Sequence, residues 1–75
     1  MSVEPILITD GDYWARIIPT GRRGWFALYG HGPMNYSEIN SRAWSYERIE
    51  HKVHRRLARW VERDLRAARR VEEAR

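Results

Sequence analysis

Residues 45–70 read Ser45-Tyr46-Glu47-Arg48-Ile49-Glu50-His51-Lys52-Val53-His54-Arg55-Arg56-Leu57-Ala58-Arg59-Trp60-Val61-Glu62-Arg63-Asp64-Leu65-Arg66-Ala67-Ala68-Arg69-Arg70. This stretch decides the fold. On a wheel of about 100° per residue, Tyr46, Ile49, Val53, Leu57 and Trp60 share one stripe. Their i, i+3, i+4 spacing is the one by which a helix buries itself on a neighbouring layer. Ser45 precedes the stripe as an N-cap whose hydroxyl can accept from a free backbone N–H. Glu47 and Glu50 then fall near the positive end of the helix dipole. A helix over Tyr46–Glu73 follows, about 40 Å long, with Ser37 or Ser41 as alternative starts. The stripe falters at Asp64. Beyond it Ala67, Ala68, Val71 and Ala74 form a thin seam, with Val61 and Leu65 to one side. The distal turns are expected either to project or to pack on another chain, which makes a homodimer through the distal helix an expectation.

The opposite side of the helix gathers cations. Arg48, Lys52, Arg55, Arg56, Arg59, Arg63, Arg66 and Arg70 fall within an arc of roughly 100°. Like charges meet at i, i+4 in the pairs 48–52, 52–56, 55–59, 59–63 and 66–70. Each pair costs an isolated helix roughly 0.2–0.5 kcal/mol. A GC-rich genome accounts for many arginines, and for only one lysine among fourteen basic residues. It does not account for their segregation from the acids. A face shaped only for solubility would alternate signs. The alternative is a solvated face whose repulsion is screened by salt.

Outward from the helix, the chain changes character at Pro33. All five glycines and all three prolines lie at or before it. The first half reads as a β-meander. Ile6–Thr9 is a short apolar strand after Pro5, and Asp10-Gly11-Asp12 is a turn. Tyr13–Ile18 is a strand rich in aromatic and β-branched residues. Residues 19–24 form a hairpin loop, and Trp25–Tyr29 is the returning strand, stopped by Gly30-His31-Gly32-Pro33. Residues Asn35–Asn40 read as a last short strand or an irregular approach to the helix. Arg16 is the only charge inside its strand, so Trp14, Arg16 and Ile18 are assigned to the solvent side and Tyr13, Ala15 and Ile17 to the core. On the returning strand Trp25, Ala27 and Tyr29 are assigned outward, with Phe26 and Leu28 inward. The outer face would then carry aromatics beside a cation, suited to stacking on bases or to anchoring a protein interface. The fold class is α+β: a three- or four-stranded antiparallel meander packed against one long C-terminal helix, in a single domain over 1–75.

Composition narrows the function classes. The chain has 75 residues, and a core of this size buries only about 60% of the unfolded surface. No cysteine is present, which removes disulfides, thiolate metal ligands and thiol nucleophiles. No apolar run approaches the roughly 18 residues of a membrane span, and Met1–Pro5 does not resemble a signal peptide. The expectation is a cytoplasmic protein with no membrane partner. The net charge is +4 and the pI about 10.1. That excess is local: residues 1–40 hold three cations and four anions, residues 41–75 eleven and six. Basic character favours anionic partners.

Catalytic patterns are thin. Glu47, Glu50, His51 and His54 share a helical side, but their spacing matches no metalloprotease motif, and they read as ordinary i, i+4 surface pairs. His31 reads as a turn residue. Gly21-Arg22-Arg23-Gly24 lacks the P-loop pattern, although Arg22 and Arg23 suit phosphate contacts. No Ser/His/Asp set is assignable. No enzyme activity, cofactor or metal is expected.

The order of features resembles a known type. Tyr13-Trp14-Ala15-Arg16 and Gly24-Trp25-Phe26-Ala27 lead through Arg42-Ala43-Trp44-Ser45 into Arg48, Lys52, Arg56 and Leu57. Over residues 12–60 this looks like the small Trp/Arg-rich accessory proteins of actinobacteria and their phages. The resemblance implies a phage or mobile-element origin and, for some such proteins, action by binding host proteins. Strands followed by a basic helix are also similar to the second half of a double-stranded-RNA-binding domain. Tyr46-Glu47-Arg48 stands where that family places a lysine cluster, and RNA binding is not carried over. Two functions are therefore expected as alternatives. In one, the arginine face binds a nucleic-acid backbone, with Arg22 and Arg23 assisting. In the other, Trp14, Arg16, Trp25, Tyr29, Val61, Leu65 and Ala68 supply contacts to an acidic host protein.

Overall fold

A computed structural model describes residues 5–21 and 24–74. Four strands, β1 (Ile6–Asp10), β2 (Tyr13–Pro19), β3 (Trp25–His31) and β4 (Met34–Ala43), form an antiparallel meander in chain order. One helix, α1 (Tyr46–Glu73), packs against it. The architecture is α+β, as the sequence implies. All four strands are longer than their sequence signal, β1 and β2 by one residue each, ending at Asp10 and Pro19. β3 runs through Gly30 to His31, and β4 spans ten residues where a short strand is the sequence expectation.

The turns explain the meander. Asp10 pairs with Tyr13, and His31 with Met34, so each hairpin closes on two residues. Gly11 and Gly32 hold φ of 62° and 55°. The residues after them, Asp12 and Pro33, do not have positive φ. That combination is the type II′ hairpin turn, which needs glycine first and matches the twist of the flanking strands.

The core lies between the sheet and the helix. Tyr13, Ala15 and Ile17 of β2, Ala27 and Tyr29 of β3, and Ile49, Val53 and Leu57 of α1 form one buried cluster. Full burial of each helical member contributes roughly 1.5–3 kcal/mol. Alanines at 15 and 27 leave the sheet surface low in its middle, where large helical side chains fill the space. Tyr46 and Trp60 flank the stripe half-buried, as the spacing predicts.

The facing assigned to β3 from sequence is reversed. Ala27 and Tyr29 are fully buried, and Trp25 packs edge-on against Tyr46 with ring centroids 5.2 Å apart. Phe26 and Leu28 lie on the outer face. The cause is a one-residue difference in the hairpin. Pro19 belongs to β2 and pairs with Trp25, leaving a five-residue loop rather than the six of residues 19–24. Opposite residues in an antiparallel pair share a face. Ile17 against Ala27 and Ala15 against Tyr29 therefore carry the odd-numbered residues of β3 inward. A slip of one residue inverts every side chain of a strand.

At its start, α1 is capped by Ser45, whose Oγ accepts from the Arg48 amide at 3.2 Å. At the other end, the core stripe closes on an aromatic group. Trp60 meets Tyr13, Tyr29 and Tyr36 at centroid distances of 5.3, 5.4 and 5.7 Å. Asp64, the acid that interrupts the stripe, accepts a 2.7 Å hydrogen bond from the Tyr13 hydroxyl. Val61 is half-buried against the cluster, near Gly11. From Glu62 to Ala74 every residue is exposed. The helix thus overhangs the sheet, and the molecule measures 55 Å along its long axis against 23 and 18 Å across. No helix among the described residues is long and apolar enough to cross a membrane.

Candidate nucleic-acid interface

A groove follows the seam between β4 and α1. Two adjoining concavities form it, and Arg42, Lys52 and Arg55 line both. Arg48 completes the cations of the first, Arg56 and Arg59 those of the second. Six Lys/Arg residues thus line one continuous surface, against a single acid, Glu47; five lie on α1, and Arg42, opposite Phe26 in the register, stands at the sheet edge with its guanidinium on the outer side. Aromatic rings sit among them: Trp25, Phe26 and Trp44 at the head, Trp60 further along.

Helical periodicity places residues 48, 52, 55, 56 and 59 on one side of α1. The sheet determines which way that side faces. Tyr46, Ile49, Val53 and Leu57 turn into the core, which rolls the cationic side toward β4 and solvent. Lys52 fixes the seam: its Nζ donates to the Arg42 carbonyl at 2.8 Å. Two other cations rest on rings. The Arg42 guanidinium lies 5.7 Å from the Phe26 centroid, and the half-buried Arg56 guanidinium lies 5.1 Å from that of Tyr29 and 5.8 Å from that of Trp60. Such contacts hold a guanidinium in place without neutralising it. Arg48, Arg55 and Arg59 are exposed, and no hydrogen bond or ion pair of their side chains is seen among the described residues.

The cationic arc drawn on the wheel is therefore divided. Arg48, Lys52, Arg55, Arg56 and Arg59 lie in the groove. Arg63, Arg66 and Arg70 continue onto the overhang, where Arg66 pairs with Glu62 at 2.6 Å. Arg42 and Trp44 also line the groove, beyond the reach of helical periodicity. Their signal is position: both stand within three residues of the N-cap, where the chain turns from strand to helix. Arg22 and Arg23 lie outside the described residues.

Most of the aromatic anchors assigned to the outer face have other work. Trp25 and Tyr29 belong to the core side, reversing the outward facing assigned to them, and Val61 packs half-buried on the core. Trp14 does lie on the outer face, but its ring covers Gly30, its cross-strand partner, and its Nε1 donates to the Gly32 carbonyl at 2.9 Å. Arg16 is exposed, 5.8 Å from the Trp14 centroid. Leu65 and Ala68 are exposed on the overhang. Among the described residues, no three His, Cys, Asp or Glu side chains cluster as a metal site would require.

Two tyrosines titrate above their ordinary range. Tyr13 is raised by its hydrogen bond to Asp64 and by burial, partly offset by Arg63. Tyr46 is raised by a bond to Glu50, one turn on, and by burial. Both are packing features, at opposite ends of the core stripe. Comparison of the chain with protein-family models, with curated proteins and with solved structures finds no match in any of the three.

Proposed function

We propose that this chain is a non-enzymatic binding protein that holds a nucleic-acid backbone along the β4–α1 groove. The observation that carries the reading is the gathering of six Lys/Arg residues, five from α1 and Arg42 from the edge strand β4, along one groove with a single acid. Phosphates spaced along a strand match such a row, and counterion release drives the association. Helical like-charge pairs that disfavour the isolated helix become favourable when each cation faces a phosphate.

The test is a salt titration of labelled oligonucleotide binding followed by fluorescence anisotropy. Six cations set an upper limit of about −4 on the slope of log K against log salt for a single strand, so a fourfold rise in salt weakens binding by up to roughly 300-fold. Arg55→Glu with Arg59→Glu abolishes binding. Arg16→Glu with Arg69→Glu, an equal charge change on the outer sheet face and the overhang, leaves most of it. No binding at low salt, or equal losses from both pairs, refutes the groove.

The second reading, a phage-type module for an acidic host protein, is favoured by the exposure of Leu65 and Val71 on the overhang. It has fewer anchors than the sequence suggests, because Trp25, Tyr29 and Val61 are engaged within the fold.

A further inference from the structure

The head of the groove lies where the sheet ends and the helix begins. It is an open hollow of about 990 Å³, with Trp25, Phe26 and Trp44 set among Arg42, Arg48 and Lys52. The three rings are not equivalent. Trp25 packs against Tyr46, and the Arg42 guanidinium lies over Phe26. Trp44 is 77% exposed and takes no part in the core cluster.

That exposure is unusual for its position. Trp44 immediately precedes the N-cap, where an apolar residue ordinarily folds over the residue five places on. Here that residue is Ile49, which the sheet already buries completely. The indole is left facing the hollow and solvent, at the cost of a large apolar surface in water. Phosphate contacts do not require it. A planar ring beside a row of cations is instead the arrangement that stacks a base while its backbone is held. In a duplex, base faces are covered by their neighbours, and only edges and phosphates are presented.

We infer that Trp44 stacks an unpaired base at the head of the groove, so that the protein prefers single-stranded nucleic acid to duplex. This rests on the groove holding the phosphate backbone, as proposed above. The ring supplies affinity without base identity, since every base has a π-face.

The experiment compares oligothymidylate, oligouridylate, a duplex of equal length and inorganic polyphosphate, each titrated against the full chain and Trp44→Ala. The single strands bind more tightly than the duplex. Trp44→Ala weakens single-strand binding by roughly 5- to 150-fold, the range for loss of one stacked base. It leaves duplex and polyphosphate binding unchanged. Trp44→Phe recovers part of the loss, which a change in charge or folding would not do. The two single strands report whether the sugar matters. Duplex binding equal to or tighter than single-strand binding, or single-strand binding indifferent to Trp44→Ala, overturns the inference and leaves backbone binding intact. Failure of every probe to bind at low salt overturns the backbone reading, and the inference with it. Trp44 is exposed and outside the core, and a melting curve of Trp44→Ala matching the parent's confirms that the fold is unchanged.

Discussion

Gly30→Ala is the substitution whose effect the structure specifies most closely. A Cβ built at Gly30 overlaps Trp14 Cζ2 and Cε2 and the Met34 carbonyl oxygen. The ring must retreat by about an ångström or more to restore ordinary contact. The retreat breaks the Nε1–H bond to the Gly32 carbonyl. Overpacking of this kind costs about 1–3 kcal/mol. The lost hydrogen bond adds about 1 kcal/mol. Relief of glycine's unfolded-state entropy returns about 0.4–1 kcal/mol. The net is a loss of about 1–3.6 kcal/mol, which for a domain this small lowers Tm by roughly 5–25 °C. Thermal denaturation followed by circular dichroism reads it directly. Adding Trp14→Ala removes the ring contacts but not the one to Met34. The double variant is therefore more stable than the sum of the two single losses, with a coupling of about 1 kcal/mol. A Gly30→Ala protein that melts at the parent temperature, or strict additivity in the double variant, refutes the view that Trp14 is a structural cover for the glycine.

Three further outcomes are expected. Folding holds the Tyr13 proton above the free value of 10.0, first through Asp64 and then through burial. The stabilisation is complete below pH 10.0 and is lost as pH rises through the higher folded value, so Tyr13→Phe flattens the alkaline limb of a stability-against-pH curve; an unchanged limb counts against the Tyr13–Asp64 bond. Ser45→Ala removes the acceptor for the Arg48 amide and lowers stability by about 0.5–2 kcal/mol in urea denaturation, while Ser45→Asp retains it. Leu65→Ala and Val71→Ala each change stability by less than about 0.5 kcal/mol, because both side chains lie on the overhang. A larger, concentration-dependent loss, with a dimer in sedimentation velocity, identifies that overhang as a contact between copies of the chain.

The helix and its two faces were legible in the sequence because helical periodicity is local. A residue's place on the wheel depends only on its neighbours within a few turns, so Ile49, Val53 and Leu57 declare themselves without reference to the sheet. The meander was legible for a similar reason: glycines at 11 and 32 mark tight turns. Sheet facing is different. It depends on hairpin register, and register here turned on whether Pro19 counts as strand or loop. Local pattern does not resolve that single residue, and it decides whether Trp25 and Tyr29 are anchors or core.

Asp64 shows the same division between local and tertiary information. On the wheel it interrupts an apolar stripe and suggests that the core has ended. In the fold it satisfies the hydroxyl of Tyr13, fifty-one residues earlier in the chain. The candidate site divides likewise. That the cations share one side of a helix follows from spacing alone, because charge segregation needs no tertiary contact. Which of them face a groove is set by packing, because it depends on how the buried stripe rolls the helix against β4. Packing likewise brings Arg42 in from the strand edge and leaves Trp44 uncovered beside them, since no periodicity links a strand end to a helix face across a turn.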